Sequence, residues 1–143
     1  MTIKASHIAP DGRNSHLLAV PKEAIIKRIR DGFSIGTAKD VQTAWGFDTA
    51  SFARLVGISG RTLSRAKKRK AFISPTASDR IYRMSKILDL ATTVFQDREN
   101  ALSWLKRPQP GLGNKVPADL LDTEPGFEQV QTLLNQLEYG VLP

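Results

Sequence analysis

Apolar side chains recur every three or four residues along most of this chain, and this periodicity constrains the fold more than any other feature of the sequence. The last apolar series is Phe127, Val130, Leu133, Leu134 and Leu137, which would share one face of a helix. No segment shows the alternation of apolar and polar residues that is typical of a strand with one buried face. The sequence therefore predicts an all-α fold.

Glycine and short polar residues divide the periodic series into separate helices. Gly32, Gly46 and Gly57 would end helices, whereas Asp48 and Ser59 belong to the residue types that cap helix starts. The spacing predicts helices over about residues 21–31, 37–45, 49–56, 60–69, 76–95 and 101–105, and a last helix that ends at Gly140. The first residues, through His16, are polar and aperiodic, and we expect a mobile arm over residues 1–18.

The composition limits the class of protein. The 143 residues are 41% hydrophobic and 24% charged, which is typical of globular proteins and fits one domain or two small ones. The sequence contains no cysteine, which excludes disulfide scaffolds, thiolate metal sites and cysteine nucleophiles. No apolar run approaches the roughly 20 residues that cross a bilayer, so we expect a cytoplasmic protein that contacts no membrane. We expect neither a cofactor nor a metal site.

Charge is distributed unevenly along the chain. Residues 1–88 contain 17 Lys and Arg against 6 Asp and Glu, a net charge of +11, whereas residues 89–143 contain 4 against 8, a net charge of −4. A strongly basic half attracts polyanions by releasing their counterions, and this pattern is typical of nucleic-acid-binding proteins. The alternative is that these cations only solvate helix faces.

The stretch from Thr49 to Lys68 matches the steric requirements of a helix-turn-helix. Ala53 is small where two helices would cross, and Gly57 lies four residues later at the turn, where a left-handed conformation favours glycine. Leu63 and Ala66 would pack inward from the second helix. This spacing predicts a helix-turn-helix, although unrelated helical hairpins share parts of it.

The opposite side of the second helix carries residue types that contact DNA. The candidate DNA-binding residues are Ser59, Arg61, Thr62, Ser64, Arg65, Lys67 and Lys68. An arginine can donate two hydrogen bonds to a guanine edge, whereas the lysines at the helix end are better placed for phosphates. The basic run of residues 67–70 alone could also indicate a targeting signal or an RNA-binding patch.

The C-terminal half contains a more specific signature. The block from Leu112 to Gly126 reads Leu-Gly-Asn-Lys-Val-Pro-Ala-Asp-Leu-Leu-Asp-Thr-Glu-Pro-Gly. This block resembles the Xre/MbcA/ParS-like toxin-binding domain of bacterial type II antitoxins. The run from Gly57 to Arg65 is similar to the Xre-type DNA-binding half of the same antitoxins, so the resemblance covers about residues 20–142. Gly60 and Asn114 depart from it, since a bulkier or basic residue and a glycine are expected there.

The resemblance implies an antitoxin that blocks the active site of a RES-domain toxin, a type associated with breakdown of NAD or ADP-ribosyl transfer, and that represses the shared operon by binding operator DNA. It also implies an N-terminal Xre-type helix-turn-helix domain over residues 19–74 and a toxin-binding domain over residues 75–143. We expect a homodimer, formed by the apolar surface of the helix over 76–95 or by the C-terminal domain.

The acidic C-terminal half would complement a pocket that holds the pyrophosphate of NAD. The candidate toxin-binding residues are Asp122, Glu124, Glu138, Tyr139, Gly140, Val141 and Leu142. Tyr139 would lie just beyond the last helix, and tyrosine is frequent among interface anchors. Alternatively, Asp119 and Asp122 only cap helices. The apolar residues of this half would then belong to the internal core rather than to an interface, namely Leu120, Leu121, Leu133, Leu134 and Trp104.

Two other functional classes remain as alternatives. An enzyme is not supported, because both histidines lie in the expected arm and the string from Gly111 to Lys115 lacks the preceding strand of a phosphate-binding loop. A stand-alone transcriptional repressor, whose acidic half dimerises or binds a small ligand, is the serious alternative. A toxin that co-purifies with the chain would decide between the repressor and the antitoxin.

Overall fold

A computed structural model describes residues 17–140, and in this range the chain forms seven α-helices and two 3₁₀ turns, with isolated bridges but no strand. The helices are α1 (Lys22–Asp31), α2 (Ile35–Trp45), α3 (Thr49–Val56), α4 (Gly60–Arg69), α5 (Pro75–Phe95), α6 (Arg98–Leu105) and α7 (Glu124–Glu138). The 3₁₀ turns lie between α6 and α7, at Pro110–Leu112 and Pro117–Leu120. The all-α prediction is confirmed.

Side-chain caps set most of the helix starts. Each cap accepts a hydrogen bond from the backbone N–H three residues later, which satisfies a donor that the helix itself leaves unpaired. The caps are Ser34 for α2, Asp48 for α3, Ser59 for α4, Asp97 for α6 and Thr123 for α7. Because Ser34 and Asp97 cap their helices, α2 and α6 begin earlier than the apolar spacing predicts. Thr123 caps α7, so the alternative in which Asp122 caps this helix is wrong.

The chain divides into two compact units, Met1–Ser85 and Lys86–Pro143, and α5 contributes residues to both. In the first unit, Trp45, Phe52 and Leu63 are fully buried. The indole Nε1 of Trp45 donates to the carbonyl of Met84 at 3.2 Å, which satisfies the polar atom of this core residue. Ile26, on α1, is 46% exposed and lies outside the core.

The residues after α4 pair with the residues before α2. The N–H of Ile35 donates to the carbonyl of Ala71, and the N–H of Ile73 donates to the carbonyl of Phe33, both at 2.9 Å. The N–H of Phe33 donates to the buried hydroxyl of Ser78 at 2.7 Å. These bonds tie residues 71–73, after α4, to residues 33–35 at the start of α2, and they tie Phe33 to α5.

The second unit has its own core between α6, the second 3₁₀ turn and α7. Leu105, Leu121, Val130 and Leu134 are buried there, and Gly126 lies so close to the carbonyl of Leu120 that a Cβ would collide with it. The rings of Phe95 and Trp104 lie 5.5 Å apart. Leu120 and Trp104 are half-buried, so the core interpretation holds fully for Leu121, Leu133 and Leu134.

Most of the apolar face of α5 is buried within the chain. Its members Ile81, Met84, Ile87, Leu88 and Ala91 are each at most 2% exposed. These five side chains are therefore not available for a contact between two copies, whereas Val94 and Phe95, at the end of α5, are half-buried. The expected dimer stays a prediction. Within the described range, no helix is long and apolar enough to cross a membrane.

Most of the expected N-terminal arm lies outside the described residues. Its penultimate residue, Leu17, is described and is only 3% exposed, so it packs as a core residue.

Candidate nucleic-acid and partner interfaces

The turn between α3 and α4 has the geometry that the helix-turn-helix prediction requires. Gly57 ends α3 in the left-handed conformation, with φ of 78°. The N–H groups of Gly57 and Ile58 donate to the carbonyl of Ala53, at 2.9 and 3.0 Å. Ala53 itself is buried at the crossing of the two helices. Two hydrogen bonds to one carbonyl therefore fix the direction in which the chain enters α4.

The two sides of α4 differ as predicted. Leu63 and Ala66 are buried against the rest of the unit. The candidate DNA-binding residues Arg61, Ser64, Arg65 and Lys68 are exposed on the other side. Since the buried side anchors the helix, these exposed side chains project from a fixed backbone, and their contact with DNA remains a prediction.

Ser59 and Thr62 have a structural task besides any contact with DNA. The hydroxyl of Ser59 accepts from the N–H of Thr62 at 3.0 Å and donates to the hydroxyl of Thr62 at 2.9 Å. Both residues are exposed. A base or phosphate contact by either side chain would share atoms with the cap of α4.

Lys67 differs from the neighbouring lysine because its side chain turns back toward α2. Its ammonium donates to the side-chain carbonyl of Gln42 at 2.8 Å, and the amide nitrogen of Gln42 donates to the carbonyl of Phe47 at 3.1 Å. Partial burial, and then the nearby charge of Lys39, hold the pKa of the Lys67 ammonium below its ordinary value. Lys67 therefore links α4 to α2.

The candidate toxin-binding residues occupy the two ends of α7. Asp122 and Glu124 are exposed at its start, whereas Glu138, Tyr139 and Gly140 are exposed at its end. The helix from Glu124 to Glu138 separates the two ends by a rise of about 20 Å. The structure therefore places these residues in two groups rather than one. Val141 and Leu142 lie outside the described residues.

The end of α7 carries the stronger apolar feature. Tyr139 is 78% exposed and Leu137 is 40% exposed, while Leu133 and Leu134, one turn earlier, are buried. Leu137 and Tyr139 are two residues apart and point to different sides of the helix end, so each is a separate exposed apolar side chain, which is common on protein surfaces. The ring of Tyr139 is therefore accessible to a partner, and its role as an anchor stays a prediction.

A groove beside α7 is a feature that the sequence alone does not reveal. It has a volume of about 740 Å³ and lies between the first 3₁₀ turn and α7. Its lining residues are Gly111, Leu112, Gly113, Lys115, Pro125, Glu128, Gln129, Thr132, Leu133 and Gln136. The side of the groove formed by the loop before α7, its loop wall, belongs mostly to the signature block. The block was therefore the sequence signal that could have indicated a functional surface at this place.

The loop wall of this groove is held by backbone geometry. Gln109 and Lys115 pair across the loop, and Gly113 and Asn114 are both left-handed, with φ of 66° and 63°. Asparagine tolerates this conformation better than most residues other than glycine. The departure at Asn114 from the resembled pattern is therefore compatible with the same loop.

Comparison with known proteins agrees with both halves of the chain. Residues 24–96 match the antitoxin Xre-like helix-turn-helix domain, and residues 90–140 match the antitoxin Xre/MbcA/ParS C-terminal toxin-binding domain. The chain is 32% identical over 118 residues to the antitoxin Xre of Yersinia enterocolitica, covering 82% of this chain and 80% of the relative. It is 30% identical over 134 residues to the antitoxin Xre of Photorhabdus laumondii, covering 93% of this chain and 85% of the relative.

The chain belongs to the Xre family of antitoxins. In this antitoxin, the helix-turn-helix match ends one residue beyond α5, and the toxin-binding match begins a few residues earlier, inside that helix. The groove, the signature block and both groups of candidate toxin-binding residues up to Gly140 fall within the toxin-binding match.

Proposed function

We propose that this antitoxin neutralises a RES-domain toxin, a type that consumes NAD, by covering the toxin's active site, and that it represses its own operon by binding operator DNA as a homodimer. In this proposal the DNA-binding domain spans residues 19–74 and the toxin-binding domain spans residues 75–143. The observation that carries it is the combination, in one chain, of a fixed cationic helix with a unit matching a toxin-binding domain.

The DNA-binding part of the proposal rests on α4. Its outward side chains include two arginines and a lysine, and its inward side chains are buried. A rigid helix that presents arginines can read base edges in the major groove, and flanking lysines add affinity that does not depend on sequence. Modules of this kind gain affinity by reading two half-sites about one helical turn apart. A dimer is therefore expected, and light scattering at micromolar concentration would detect it.

The toxin-binding part rests on the exposed ends of α7. A pocket that binds the pyrophosphate of NAD must present positive groups, so acidic residues around it would favour the encounter. Asp122, Glu124 and Glu138 supply such charges, and the exposed ring of Tyr139 supplies a large anchor at low entropic cost. We infer that the end of α7 enters the pocket, while the start of α7 contacts its surroundings.

A co-expression experiment tests the neutralisation. Cells that carry the toxin gene from the same operon should grow when the full-length antitoxin is present, and their NAD level should stay normal. Tyr139→Ala should weaken this protection because it removes the anchor. Phe72→Ala removes a comparably exposed ring, 69% exposed, from the other unit and is the matched control.

The alternative of a stand-alone repressor makes the opposite prediction. Under that function the full-length chain would bind its promoter but would neither restore growth nor co-purify with the neighbouring gene product. Equal protection by Tyr139→Ala and wild type would remove the proposed role of the α7 end.

A further inference from the structure

Arg80, on α5, lies directly against the turn of the helix-turn-helix. A Cβ atom placed on Gly57 would lie 2.5 Å from Nη1 of Arg80 and 3.3 Å from its guanidinium carbon. The guanidinium therefore occupies the space that the missing side chain leaves open. Gly57 thus serves two purposes, since it adopts the left-handed turn and makes room for a cation beside it.

The backbone that carries Arg80 is held in place on both sides. Ser74 caps the start of α5 by accepting from the N–H of Ala77 at 3.1 Å. Ser78 accepts from the N–H of Phe33 and donates to the carbonyl of Ser74. Ile81, the next residue, is fully buried. The reach of Arg80 toward the turn is therefore determined by a fixed helix rather than by a flexible segment.

The charge of Arg80 has no carboxylate partner among the described residues. Its sequence neighbour Asp79 pairs instead with Arg83, at 3.3 Å, one turn further along α5. Arg80 also makes no hydrogen bond within the described range, unlike Lys67, which donates to Gln42. An arginine is always protonated and carries five donors in a planar fork that suits phosphate oxygens.

The charge of Arg80 lies close to the start of the helix that carries the candidate DNA-binding residues. Gly57 lies three residues before the first residue of α4, and Arg61 is exposed in the first turn of that helix. Arg80 is half-buried, and its guanidinium lies against the turn that leads into the start of α4. Lys68 presents a third cation near the other end.

We propose that Arg80 binds a DNA phosphate beside the start of α4, so that the DNA interface extends beyond the helix-turn-helix onto α5. This inference rests on the proposed DNA binding. A phosphate satisfies donors that no described residue satisfies, and a contact to the backbone orients the protein without reading sequence. Since the start of α5 belongs to the same unit as α4, this contact would also fix the angle at which α4 enters the major groove of DNA.

The test uses the full-length protein and two duplexes, the intergenic DNA upstream of its own gene and a scrambled duplex of equal length. Affinities are measured by fluorescence anisotropy between about 50 and 200 mM KCl. Arg80→Gln should bind both duplexes roughly tenfold more weakly near 100 mM salt, with an unchanged ratio between them, and the slope of log K against log salt should fall by about one unit. Arg80→Lys should keep most of the slope because it keeps the charge.

Arg107→Gln is the matched control. It removes the same charge from an exposed position in the C-terminal unit, and it should leave affinity and slope unchanged. A thermal unfolding curve of each variant separates binding from stability, because a guanidinium near the end of α3 could also stabilise that helix through its dipole.

Three results would overturn the inference. The first is an unchanged slope in Arg80→Gln, whatever its melting temperature, because a purely structural arginine would behave in this way. The second is an equal loss in Arg107→Gln, because the effect would then come from net charge alone. The third is that the wild type binds neither duplex, in which case the proposed DNA binding fails and this inference fails with it. If the wild type binds DNA and Arg80→Gln lowers the salt slope, the result supports both the proposed DNA binding and the phosphate contact of Arg80.

Discussion

Gly57 has three structural roles in this fold. It ends α3, turns the chain into α4 and leaves the space that the Arg80 guanidinium fills. Any L-residue would meet two penalties there, the left-handed backbone and the collision with Arg80. The collision alone could be relieved by a shift of the flexible arginine, whereas the backbone penalty could not.

Gly57→Ala should therefore lower the free energy of unfolding by about 1 to 2 kcal/mol. Urea unfolding monitored by circular dichroism measures this change. Gly60→Ala is the matched control, because Gly60 is the first residue of α4 and a Cβ there meets no atom within 4 Å. That control should be neutral or slightly stabilising, since alanine favours helices. Equal unfolding curves for both variants would contradict the role given to Gly57.

The exposed cations of α4 should divide into two kinds. Arg61→Ala or Arg65→Ala should cost about 1 to 3 kcal/mol on the promoter duplex and reduce discrimination against random DNA. Lys68→Ala should weaken both duplexes alike and reduce the salt dependence. Anisotropy titrations with the two duplexes measure both effects. If the arginine variants keep the wild-type ratio between duplexes, α4 does not read the sequence.

At the scale of the helix, capping residues and apolar spacing predict most of the architecture. Gly46 and Gly57 end helices at the predicted positions, and Ser59 and Asp48 begin them. These signals are local, because each depends on hydrogen bonds within one turn of helix. Apolar spacing alone places the start of α2 at Thr37, which is too late, because the helix begins directly after its cap at Ser34.

Contacts between distant residues could not be predicted in the same way. The bond from Lys67 to Gln42 joins residues 25 positions apart, and the approach of Arg80 to Gly57 depends on how α5 packs. The spacing within α4 makes Lys67 and Lys68 equally suitable for a phosphate contact, and only the tertiary structure distinguishes them. The groove beside α7 likewise depends on how α7 packs against the loop of the first 3₁₀ turn, which is distant from it in sequence.

Within α7, burial should decide the cost of losing a leucine. Leu134→Ala should destabilise the protein by about 2 to 5 kcal/mol, because Leu134 is fully buried and its removal leaves a cavity. Leu137→Ala, three residues later and 40% exposed, should cost less than about 1 kcal/mol. Thermal unfolding measures both variants. A similar loss in both would mean that Leu137 packs more tightly than its exposure indicates.

At the scale of the whole molecule, charge and structure divide the chain in a similar way. The basic half contains the helix-turn-helix, and the acidic half contains α6, α7 and the signature block. Under the proposed function, the two charges suit two different partners, DNA and a toxin with a cationic pocket. Because α5 contributes residues to both compact units, a fragment of either half should retain the part of α5 that completes its core.

Two overlapping fragments should separate the two functions. Residues 75–143 keep α5 whole and should protect cells from the toxin, whereas residues 1–85 keep the first compact unit and should bind DNA without protecting cells. Growth and NAD level after toxin induction measure protection, and circular dichroism verifies that each fragment is folded. Full protection by residues 1–85 would mean that the toxin binds the first unit instead.

The length of α7 sets a distance that side-chain chemistry alone does not. If both of its ends contact the toxin, recognition requires two binding patches on the toxin that lie about 20 Å apart. A related toxin could keep every contacting residue and still fail to bind because its two patches are spaced differently. Insertion of one helical turn into α7 would then change partner choice while leaving each end chemically intact.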